Sequence, residues 1–130
     1  MKKDNDQARR GAELFPEMYD RLVQSYSTLA RETKGEVAPV GVAWKIAYES
    51  IPKIELHQRD HSHAAPSGAY LTALVFYSTF YGEKPTGMPG KLTVQTSKKG
   101  KVQTTEINLD PKTRKALEAV ASKTCRKFSL

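Results

Sequence analysis

The chain has 130 residues, 38% hydrophobic and 27% charged, which fits one domain with a core of its own and excludes a low-complexity or fibrous class. No apolar run approaches the roughly 20 residues that span a bilayer, and the polar start Met1-Lys2-Lys3-Asp4-Asn5-Asp6 leads into no apolar stretch of secretion-signal kind, so no membrane span and no signal peptide are expected, and the compartment stays open. The net charge of +7 is uneven: residues 1–90 hold 11 Lys and Arg against 11 Asp and Glu, and residues 91–130 hold 10 against 3.

Residues 1–11 read as a polar, disordered leader. From Ala12 to about Lys34, Leu14, Met18, Leu22, Tyr26 and Leu29 recur at spacings of four, four, four and three, the single apolar stripe of an amphipathic helix. Pro16 suits its first turns and Gly35 its C-cap. Val37-Ala38-Pro39-Val40-Gly41-Val42-Ala43 is almost unbroken in apolarity. It reads as a short buried strand, with Pro39 making it either only partly a strand or one at a sheet edge. Trp44 to about Ser50 reads as a short helix ended by Ile51-Pro52, and Ile54-Glu55-Leu56 is too short to assign.

A polar loop, His57 to Ser67, holds all three histidines of the chain. Pro66 and Ser67 begin a helix, with Ser67 as its N-cap. Gly68 to Tyr81 is apolar on almost every face, which predicts a buried helix capped by Gly82. Lys84 to Gly90 is a turn-rich link. Leu92, Val94 and Thr96 alternate before Ser97-Lys98-Lys99-Gly100, and Val102 and Thr104 alternate after it, which predicts a β-hairpin. Asp110-Pro111 is an N-cap followed by a proline at the first helical position. It opens a final helix to about Lys123, with Leu117, Val120 and Ala121 inward. The basic tail has one aromatic, Phe128, and no nucleic-acid motif; it reads as solvated charge, and no nucleic-acid partner is expected. The one cysteine, Cys125, excludes an internal disulfide. Lys123, Arg126 and Lys127 beside it favour a lowered pKa, but a spare thiol on a terminal helix is the simpler reading.

Chemistry concentrates in His57-Gln58-Arg59-Asp60-His61-Ser62-His63. An acid and a histidine three apart, on a loop entering a helix, are able to hydrogen-bond. In a hydrolytic triad the imidazole takes the nucleophile's proton and the carboxylate fixes its tautomer. The spacing alone is a weak pattern that arises by chance, and on spacing alone a solvated loop with an aspartate cap is the better explanation.

The wider context is more specific. Val37-Ala38-Pro39-Val40-Gly41-Val42-Ala43-Trp44 is similar to a segment of SGNH/GDSL-type hydrolases. Asp60-His61-Ser62-His63, two residues, Pro66-Ser67-Gly68-Ala69-Tyr70-Leu71 and then Val75-Phe76-Tyr77 resemble that family's last block. Phe15-Pro16, one residue, Met18 and Leu29-Ala30, one residue, Glu32 also fit. The resemblance spans residues 12 to about 90. It implies an α/β fold: the C-terminal part of a three-layer α/β/α SGNH-hydrolase-like domain (12–90), with a hairpin and terminal helix appended (91–130). It implies ester hydrolysis, an ester substrate, no cofactor, His63 as general base and Asp60 as its orienting partner.

The chain departs from the family in two ways. Ala64-Ala65-Pro66 replaces the usual His-Pro contiguity. There is also no Gly-Asp-Ser nucleophile motif, and the only asparagines, Asn5 and Asn108, lie outside the context of an oxyanion hole. Ser62 as a nucleophile would need a sharp elbow that the sequence does not show. The expectation is therefore a fragment or degenerate family member, inactive alone, whose partner is a complementary N-terminal half. Trp44 is the candidate for lining a substrate pocket, with core packing as its alternative. Two rival readings remain. One is a divalent-metal site built from His57, Asp60, His61 and His63. The other is a non-catalytic interaction module.

Overall fold

The computed structural model describes residues 16–128. The leader and the expected helix start at Ala12, with Leu14 and Phe15, lie outside the described residues. In chain order the elements are α1 (Pro16–Thr33), α2 (Val40–Ser50), α3 (Pro66–Tyr81), β1 (Lys91–Lys98), β2 (Lys101–Asn108) and α4 (Pro111–Phe128). Among the described residues, four helices and one two-stranded antiparallel sheet make a mixed α/β arrangement.

The core lies where α2, α3 and α4 meet. Ala43 and Ala47 are four apart on one face of α2, and their small side chains admit close neighbours. Tyr70, Leu71, Leu74 and Val75 come from α3, and Leu117, Val120 and Ala121 from α4, the three expected to face inward there. Ile54 and Leu56 add two buried side chains from the connecting loop. The core thus crosses residues 90–91, joining the tail helix to the preceding segment.

The apolar run 37–43 is not a strand. Pro39 is buried and sits at the N-cap of α2, which begins at Val40. Proline lacks the N–H that a ladder needs, whereas at a helix start that N–H has no partner to lose. The α1 terminus also differs from expectation. Lys34, not Gly35, takes the left-handed conformation (φ 56°), and the Gly35 N–H reaches back to the Ala30 carbonyl at 2.9 Å, as in a Schellman close. At the start of α3 the N-cap is Ala65 rather than Ser67, with Pro66 at the first helical position. Gly82 closes α3 at φ 67° as expected. The α3 helix is buried on one face only, since Phe76, Phe80 and Tyr81 stand in solvent.

The hairpin forms as predicted. Lys99 and Gly100 make a two-residue loop with φ 51° and 74°, the pattern of a type I′ turn. Its apolar face is only partly covered: Leu92 packs on the core, but Val94 and Val102 are exposed. At the start of α4, Asp110 Oδ1 accepts from the N–H groups of Lys112 and Thr113 at 3.0 and 2.9 Å, the N-cap expected there.

Candidate functional site

The loop between α2 and α3 is held as a miniature ladder. The Ala65 N–H donates to the Leu56 carbonyl at 2.8 Å and the Gln58 N–H to the His63 carbonyl at 2.8 Å, with His57 bridged to Ala64. Residues 58–61 close a turn, His61 N–H to Gln58 carbonyl at 3.0 Å, and His61 there has φ 57°. The loop is therefore tightly turned, not extended, at His61.

Inside that turn Asp60 does two things. Its Oδ1 accepts from the N–H groups of Ser62 and His63, each at 3.0 Å, an Asx turn. Its Oδ2 lies 2.6 Å from His63 Nδ1. The His63 N–H, then the Ser62 N–H, then the His63 ring hold the Asp60 carboxyl well below the ordinary carboxylate range. The pair expected from spacing is thus brought together, and the turn explains why three residues suffice. The dyad stands in water: the His63 side chain is 75% exposed and that of Asp60 47%.

His57 belongs to a different cluster. Its Nδ1 lies 2.5 Å from the Tyr48 hydroxyl, its ring stacks on Tyr48 (5.9 Å between centroids, 7° between planes), and Trp44 meets it edge-on at 4.7 Å. Burial, with a smaller contribution from His61, lowers the His57 pKa. Trp44 and Tyr48 are one helical turn apart on α2 and share a face, but that spacing carries no sign of His57. The part played by Tyr48 was not anticipated.

Trp44 is a packing residue here. Its Nε1 donates to Thr72 Oγ1 at 3.1 Å, and its ring lies over Gly68. It lines neither the cleft between α1 and residues 35–42 nor the cleft between the end of α1 and Ser78, Thr79 and Cys125. His57, Asp60, His61 and His63 do not form a metal-binding group; among the described residues no three His, Cys, Asp or Glu side chains gather as one. Cys125 is half-buried, and burial raises its pKa despite the cations near it in sequence. No described helix is long and apolar enough to cross a membrane.

Compared with known proteins, the chain matches no protein-family model, no curated protein and no solved structure.

Proposed function

We propose that this chain is the acid–base arm of an SGNH-type serine hydrolase: a fragment or degenerate member of that family, corresponding to the C-terminal part of its three-layer α/β/α domain. The observation that carries the reading is the 2.6 Å contact between Asp60 Oδ2 and His63 Nδ1, fixed by the turn that Asp60 itself ties. In this reading Nδ1 holds its proton toward Asp60, which leaves Nε2 as the base for a serine hydroxyl. Asp60 steadies the imidazolium that forms when the proton arrives.

Two features support a nucleophile from outside this chain. The sequence has no Gly-Asp-Ser motif, and the dyad is exposed to water, whereas electrostatic stabilisation of a transition state needs an ordered site from which water is excluded. A complementary polypeptide bearing the serine and the oxyanion donors supplies both, and the substrate is an acyl ester.

Two measurements test the reading. Nitrogen-15 NMR of the neutral His63 ring is expected to show the Nδ1–H tautomer, with Asp60→Ala abolishing that preference; an Nε2–H tautomer in the wild type sinks the dyad. The purified chain is expected neither to hydrolyse p-nitrophenyl acetate beyond the rate of free imidazole nor to be labelled by a fluorophosphonate. A labelled serine would show that the nucleophile lies within this chain.

A further inference from the structure

Helix α1 is amphipathic, yet its apolar stripe is uncovered. Met18, Leu22, Tyr26 and Leu29 are 56, 49, 59 and 53% exposed, and Ala30 alone among the described α1 side chains is buried. Helices in proteins draw most of their stability from packing an apolar face rather than from propensity. The face therefore calls for a cover.

The order of residues along the stripe identifies the cover. A point between Ser25 and Tyr26 relates Leu22 to Leu29 and Met18 to Thr33. A second α1, laid antiparallel across that point, sets leucine against leucine twice and brings the two Tyr26 rings together. The charges agree. Arg21 and Glu32 are eleven residues apart, three turns of helix, and so share one flank of the stripe. In the antiparallel pair Arg21 of each copy falls within about 3 Å along the axis of the other copy's Glu32. Arg21 is engaged on its own helix only by Glu17 at 3.5 Å, with both side chains largely exposed, an attraction of small worth. Tyr19, Val23 and Ala30 on the opposite flank, together with Leu22, Tyr26 and Leu29 of the stripe itself, border the apolar cleft closed by residues 35–42, so the stripe is continuous with that cleft. A lipid surface is the poorer match, because α1 carries two arginines against three acids and has no cationic face for anionic headgroups.

We propose that α1 is a self-association face, on which two copies of this chain pair their α1 helices antiparallel about a two-fold axis at Tyr26. The interface is one helix pair about 27 Å long. It falls in the small class of interfaces, so the dimer is reversible and depends on concentration. This assembly does not depend on the hydrolase reading.

Sedimentation velocity of the full chain from low to high micromolar concentration tests it, with circular dichroism confirming that each variant is folded. The wild type is expected to pass from monomer to dimer. Leu22→Glu is expected to weaken the dimer by roughly tenfold or more. Arg21→Glu and Glu32→Arg should each weaken it, because each sets like charges together twice, and the double variant Arg21→Glu/Glu32→Arg should recover it. A wild type that stays monomeric overturns the proposal and assigns the face to a partner of other chemistry. So does a dimer indifferent to the charge swap, or one broken by Phe80→Ser but not by Leu22→Glu.

Discussion

Leu56 and Gly68 meet backbone to backbone: a Cβ on residue 68 would lie 2.1 Å from the Leu56 carbonyl oxygen and 2.8 Å from two ring carbons of Trp44. That carbonyl also accepts from the Ala65 N–H, so it has no room to withdraw. The glycine therefore sets how closely the histidine loop seats on α3. Gly68→Ala is expected to cost about 1–3 kcal/mol, as overpacking does, and to disturb the Trp44 environment. Gly41→Ala is the control, since nothing lies within 4 Å of a Cβ there. It should be neutral or stabilising by under about 1 kcal/mol through helix propensity. Thermal melts followed by tryptophan fluorescence check both, and equal effects would contradict the close approach.

Asp60 ties its turn as an ion. Its carboxyl is held well below the ordinary range, first by the His63 N–H. A depressed carboxylate stabilises the fold above its unfolded pKa of about 3.9, and that contribution is lost as pH falls through the folded value. The turn should thus be unchanged across neutral pH and loosen only in strong acid. Carbon-13 titration of the Asp60 carboxyl is expected to give a midpoint well below about 3.9. Asp60→Ala should speed amide exchange at Ser62 and His63 while leaving α3 and α4 protected. Unchanged exchange at those two amides would mean that the backbone alone holds the turn.

The sequence made the elements with local rules legible. Asp110-Pro111 reads as a cap because a short acceptor precedes a residue with no N–H, and Ser97-Lys98-Lys99-Gly100 as a turn because alternation stops there and resumes, although Ser97 and Lys98 pair in the ladder and only Lys99 and Gly100 form the loop. Asp60 and His63 were legible as a pair because their contact spans three residues. What was missed depends on tertiary context. Hydrophobicity without a period does not separate strand from helix, so Val37–Ala43 reads as a strand from sequence although Pro39 stands at a helix start. The α1 stripe was legible, but its exposure was not, since periodicity shows that a face is apolar and not whether anything covers it. The link from Tyr48 to His57 needs the loop to fold back on α2, which no local pattern encodes.

His57 should make stability depend on pH near neutrality. Burial is the main cause of its lowered pKa, so the folded chain resists a proton that the unfolded chain accepts. Stability is then full above the unfolded pKa of about 6.5 and declines as pH falls below it toward the folded value. The melting temperature is expected to drop between about pH 7 and pH 5, and less in His57→Phe, which keeps an aromatic ring against Trp44 but cannot titrate. Equal slopes in the two proteins would assign the pH dependence to other groups.

Glu118 is an acid in the basic tail whose job is structural. It is 7% exposed on α4. Its Oε1 accepts from the Met88 N–H at 2.9 Å, while Arg114 Nη1 donates to the Met88 carbonyl at 2.7 Å and lies 3.4 Å from the same Oε1. Both polar groups of the Met88 backbone are thereby satisfied, and the link to the hairpin is clamped to α4. Removing the carboxylate leaves the Met88 N–H without its acceptor and Arg114 without its counter-ion. Glu118→Ala is expected to cost roughly 2–3 kcal/mol, the scale of a hydrogen bond to a charged group plus the stranded donor. Glu118→Gln keeps an acceptor and should cost less. Chemical denaturation orders the two variants, and amide exchange at Met88 should rise in the first more than in the second. Equal costs in the two variants would mean that charge repulsion among the tail cations, and not the clamp, is what Glu118 relieves, since both remove the same charge.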